Sequence, residues 1–136
     1  KIMQNKNIET ILQDKKVLAI VAKTNSIDNT IFFTPQEFLL QASIQNRGLG
    51  ESTIPHEHPS FKDCNERVAQ EIIYVLSGKI EVGLYFEGKK AQSRTLSQGD
   101  LILLNTGHDV SYIEDSKIIL IKTGPYRGKE EDKKLF

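Results

Sequence analysis

Several residue classes are scarce in this chain, and each scarcity narrows what the protein can be. Cys64 is the lone cysteine among 136 residues, so an internal disulfide is excluded. Charge of one sign is not in excess: 18 basic and 18 acidic side chains give a formal net charge of zero. No global field therefore draws in nucleic acid or an anionic membrane surface. Long apolar runs are also missing, the longest being Val17 to Ala22, which fits neither a membrane span nor a secretory leader. The expectation is a cytoplasmic protein that binds a small molecule, with no nucleic-acid or membrane partner. Helical periodicity, internal repeats and low-complexity linkers are lacking too.

What is present is enough for a real core: 38% of residues are hydrophobic and 26% charged, which suits one domain over residues 1–136. Short segments rich in β-branched residues recur at Val17–Lys23, Phe38–Gln45, Ile54–His58, Glu71–Leu76, Ile80–Phe86, Leu101–Leu104, His108–Ile113 and Ile118–Lys122. Turn signals separate most of them: Ser77-Gly78, Glu87-Gly88, Gln98-Gly99-Asp100, Asn105-Thr106-Gly107 and Asp115-Ser116. Ile80, Val82, Leu84 and Phe86 alternate with Lys79, Glu81, Gly83 and Tyr85, the pattern of a half-buried strand. In Glu71–Leu76 both faces carry apolar residues, so both are expected to be covered, by a second sheet or a partner subunit. The spacing predicts an all-β sandwich or jelly roll.

The three histidines, His56, His58 and His108, stand out against this background. In a strand, residues i and i+2 share a face, so His56 and His58 can aim at one point while Glu57 faces away. Glu71 opens an otherwise apolar strand, and an unpaired buried carboxylate costs several kcal/mol or loses its charge. A cation would remove that penalty. The competing reading places Glu71 at the solvent edge, paired with Arg67 or Lys79. Gln41, Ser43 and Gln45 share one strand face, which either lines a polar pocket or is simply exposed.

The order of these residues resembles the two motifs of the cupin superfamily. Gly50, five residues, His56-Glu57-His58, then Glu71, six residues and Gly78 resembles the first motif. Gly99-Asp100, Leu101–Leu104, and a turn ending in Gly107 before His108 resembles the second. The resemblance covers roughly residues 36 to 123, with N-terminal strands in 1–35 and a tail in 124–136. It implies a double-stranded β-helix, or jelly-roll barrel, with His56, His58, Glu71 and His108 around one divalent metal ion. Three departures stand out. Twelve residues, Pro59 to Gln70, separate His58 from Glu71, an insertion near the site mouth that carries Cys64 and Arg67. Asn105 replaces the usual proline, and His108 follows Gly107 directly. Tyr112 stands where the motif often ends in asparagine, on the same strand face as His108. The tail Gly124-Pro125-Tyr126 is similar to that of small uncharacterised bacterial cupins, some encoded beside surface-sugar genes.

Nitrogen and oxygen donors of this kind suit iron, manganese, nickel, cobalt and zinc alike. Four protein ligands on a six-coordinate ion leave two positions open, walled by Ile73, Val75, Ile80, Val82, Val110 and Phe33, for a small polar metabolite, sugar-like or a carbonyl compound such as a keto acid. Gln41, Ser43, Arg67 and Tyr112 are the expected substrate-pocket residues, and isomerase or dioxygenase chemistry is the expected class. Two other functions fit the residues: a metal-free sugar epimerase or isomerase with His56 or His58 as base and Tyr112 as acid, or a non-catalytic module that binds a small ligand. A homodimer is expected, in which the segment with Ile11, Leu12 and Val17–Ala22 either extends a neighbour's sheet or closes its own.

Overall fold

Alternation along the strands decides which residues meet inside the molecule, here seen in a computed structural model that describes residues 5–53, 56–57, 69–125 and 134–135. Among the described residues twelve strands are formed: β1 (Ile8–Gln13), β2 (Lys16–Ala22), β3 (Ile31–Phe32), β4 (Leu40–Arg47), β5 (His56–Glu57), β6 (Glu71–Ser77), β7 (Lys79–Phe86), β8 (Lys89–Ser97), β9 (Leu101–Leu104), β10 (His108–Tyr112), β11 (Ser116–Thr123) and β12 (Lys134–Leu135). They make a β1-β2 hairpin and two five-stranded sheets, ordered β12-β5-β10-β7-β8 and β3-β4-β11-β6-β9. Ile73, Val75, Leu104 and Ile118 from one sheet pack with Ile80, Val82, Leu96, Val110 and Tyr112 from the other in a single core. This is a sandwich of two sheets closed on one core.

Directly opposed residues in an antiparallel pair share a face. Lys122, Leu120 and Ile118 of β11 lie opposite Glu71, Ile73 and Val75 of β6, and opposite Gln41, Ser43 and Gln45 of β4. All nine therefore point to the inner face, with His108, Val110 and Tyr112 of β10 across from them. Ile72, Tyr74 and Leu76 form the outer, half-buried face of β6.

Beyond the eight expected segments the structure adds β1, β3, β8 and β12, and it extends β4. Lys89–Ser97 is almost entirely polar because it is the edge of its sheet, where only Leu96 reaches the core. Strand β4 runs to Arg47, two residues past the expected end, because Ser116 and Lys117 continue its ladder with Arg47 and Asn46. The β1-β2 turn holds Asp14 and Lys15 at φ 49° and 67°, the backbone of a type I′ hairpin built without the usual glycine. Among the described residues no helix is long and apolar enough to cross a membrane.

Candidate functional site

The inner face becomes polar where β6 begins. Glu71 is 4% exposed and His108 2% exposed, on strands from opposite sheets, and His108 Nε2 lies 3.3 Å from Glu71 Oε2. The solvent-edge alternative for Glu71 is thus corrected: the first residue of β6 is already within the barrel. Lys79 lies instead 3.9 Å from Glu114.

The orientation of His108 follows from its other ring nitrogen. Nδ1 lies 3.0 Å from the Thr106 carbonyl oxygen. A carbonyl can only accept, so Nδ1 carries a hydrogen and Nε2 faces Glu71. A bare imidazole lone pair turned toward a carboxylate would be repelled, so positive charge belongs between them, either as a proton or as a cation. The 3.3 Å separation is longer than the 2.7–2.9 Å typical of a charge-assisted hydrogen bond. Two donors on one cation, each at about 2.1 Å, lie about 3.0–3.4 Å apart. The donor set and its spacing therefore fit a metal ion.

A brace on the outer face of β10 holds His108 at this height. Asp109 pairs with Gly83 in the β10-β7 ladder, and its carboxylate accepts from the Gly83 backbone N–H at 3.1 Å and from the Tyr85 hydroxyl at 2.7 Å. Gly83 leaves room for that carboxylate, since a Cβ there would come within 3.1 Å of Asp109 Cγ. Thr106 Oγ1 donates to the Tyr85 carbonyl at 2.6 Å, and the Tyr85 N–H donates to Gly107 at 2.9 Å. The turn before His108 is thus pinned to β7 even though it lacks the proline of the family motif.

This brace has a titration signature. The hydrogen bond to Asp109, with desolvation and the nearby charge adding to it, pushes the Tyr85 phenol up to about 12. Because the folded value lies above the unfolded value near 10, the stabilisation is fully present below pH 10 and is lost as pH rises through 12. Ultraviolet titration should show a late tyrosine phase that belongs to Tyr85, beside that of the buried Tyr112. Tyr85→Phe should remove that phase, and Asp109→Asn should move it toward pH 10; a late phase untouched by Asp109→Asn would discount the brace.

The remaining sequence-predicted residues are distributed unevenly. Strand β5 places His56 directly opposite His108 in the ladder. The side chain of His56, and all of His58, Cys64 and Arg67, lie outside the described residues. Among the described residues no group of three histidine, cysteine, aspartate or glutamate side chains is assembled. Gln41 lies on the inner face, but its amide Nε2 donates to the carbonyls of Pro35 and Phe38 at 2.9 Å each, so it fixes the loop before β4. Ser43, 1% exposed, and Gln45, 8% exposed, are inside, which corrects the exposed-face reading of that face. Tyr112 is 4% exposed. Burial raises its pKa, against the opposing pull of the Arg47 charge, and Glu71 and Glu51 raise it further. Arg47 is a residue the sequence reading missed; the signal was its place two residues beyond Gln45 on the same strand face.

No protein-family model matches the sequence, and no curated protein matches it. Solved structures do resemble it. A cupin superfamily protein from Desulfitobacterium hafniense is 13% identical, with 85% of this chain and 96% of that one covered at a TM-score of 0.59. A conserved protein of unknown function from Streptococcus pyogenes is 16% identical, over 90% and 98% of the two chains, at 0.56. KdgF from a Halomonas species is 28% identical, over 72% and 80%, at 0.52. With its two facing five-stranded sheets and inward Glu71 and His108, this chain has the fold of the cupin superfamily.

Proposed function

We propose that the chain is a metal-binding cupin acting as an enzyme on a small polar metabolite, with His56, His58, Glu71 and His108 holding one divalent cation. The observation that carries this reading is the buried Glu71–His108 pair, whose 3.3 Å spacing and fixed ring orientation suit two ligands of a common ion. His56 stands beside His108 in the ladder, which favours a third donor from β5. Such an ion supplies Lewis-acid polarisation of a carbonyl or hydroxyl oxygen. The chain's own contribution is the apolar wall of Ile73, Val75, Ile80, Val82 and Val110, which excludes water from the bound metabolite. Leu101 and Leu103, exposed on edge strand β9, supply an apolar strip that suits a homodimer.

Elemental analysis of protein purified without chelator tests the metal reading. About one equivalent of a transition metal is expected, with His58→Ala markedly depleted. Protein that carries none, and in which His58→Ala leaves added-metal binding unchanged, would overturn it. The metal-free epimerase reading would then take its place, supported by Tyr112, whose burial keeps the phenol protonated and able to act as an acid.

A further inference from the structure

One hydroxyl on the inner face has its hydrogen-bond polarity fixed by its neighbours. Arg47 donates from Nε at 3.2 Å and from Nη2 at 3.0 Å to Gln45 Oε1. A guanidinium can only donate, so this assignment sets the Gln45 amide with its Nε2 toward Ser43, to which it donates at 3.2 Å. The Ser43 oxygen is therefore an acceptor within the relay, and its proton remains for a further partner. Among the described residues Ser43 has no such acceptor, although it is 1% exposed and lies on the inner face. A buried donor left without an acceptor is destabilising, so a ligand oxygen placed there would be favoured.

Charge then selects the ligand. Lys122 stands directly opposite both Glu71 and Gln41 on this face, and diagonally to Ser43, within reach of a long side chain. Arg47 lies 3.8 Å from Glu51. Among the described residues near this face, the cations Arg47 and Lys122 match the carboxylates Glu51 and Glu71 in number. A divalent ion at Glu71 and His108 would add positive charge there, and an anionic ligand would offset it.

We propose that Ser43, with its polarity set by the positioning residues Gln45 and Arg47, is the hydrogen-bond donor of a carboxylate subsite inside the barrel, one that takes a small 2-oxo or 2-hydroxy acid. This names the substrate class of the proposed metal site and rests on that reading.

Pyruvate is the probe, titrated by calorimetry against metal-loaded protein. Millimolar or tighter binding is expected, weakened about tenfold by Ser43→Ala. Gln45→Glu should weaken it as much, because a carboxylate there accepts from both Arg47 and Ser43 and turns the serine proton away from the ligand. The double variant separates polarity from simple charge repulsion. In the Ser43→Ala background Gln45→Glu should have no further effect, and both single variants should keep the metal-dependent rise in Tm. Wild-type affinity in Gln45→Glu, additive losses in the double variant, or no pyruvate binding to metal-loaded protein would each overturn the subsite. If no cation loads, the metal reading fails by itself, and the subsite stands or falls on whether pyruvate binding to metal-free protein still separates wild type from Gln45→Glu.

Discussion

His108→Ala should lower the unfolding free energy of chelator-treated protein by about 3–5 kcal/mol, read from urea denaturation. The imidazole and the Glu71 carboxylate are both almost fully buried and 3.3 Å apart. Removing one member of such a pair takes a close partner from the other within a low-dielectric interior, which costs more than the pair contributes when intact. Alanine also leaves a void between the sheets. Glu71→Gln removes the charge while keeping the shape, so adding it to His108→Ala should recover part of the loss. With metal present, His108→Ala should also weaken apparent affinity by at least the roughly 10–100-fold that losing an outer partner of a ligand costs. A loss below about 1 kcal/mol in the single variant, or no recovery in the double, would mean that Glu71 and His108 are energetically independent.

That coupling was legible in the sequence only in part. Glu71 at the head of an apolar strand, and His108 after a glycine turn, could be read from residue type and spacing. The inward direction of β4 could not. Alternation tells that Gln41, Ser43 and Gln45 share a face, but not whether that face meets solvent or the interior. The pairing of Ser43 with Leu120 and of Gln45 with Ile118 decides it, and pairing is a long-range property. Arg47 escaped for the same reason, since the strand's end is set by its ladder with Ser116 rather than by its own propensity. The polar strand β8 escaped because an edge needs only one buried side chain, Leu96, to be held. The Asp14-Lys15 turn carried no glycine to announce its positive φ angles. By contrast Glu87-Gly88 was readable, and the structure holds both residues at positive φ.

Gly78→Ala should be a severely damaging single-methyl change, costing about 2–5 kcal/mol as measured by urea denaturation. Gly78 links β6 to β7, and so joins the sheet that carries Glu71 to the sheet that carries His108. Its φ of +91° belongs to a region that L residues avoid, worth about 1–2 kcal/mol. Steric crowding adds a comparable term, because a Cβ would lie 2.5 Å from the Asp115 carbonyl oxygen and 2.7 Å from Ser116 Cα. Those backbone atoms cannot retreat easily. Ser116 Oγ accepts from the Lys79 N–H at 3.1 Å and donates to the Glu114 carbonyl at 2.8 Å, which ties the facing turn to the start of β7. Gly88→Ala is the matched control: φ is +78°, yet nothing lies within 4 Å of the added methyl. It should show the backbone cost alone. The difference between the two variants measures how tightly the Gly78 corner is packed, and equal losses would show that the Asp115-Ser116 turn gives way freely.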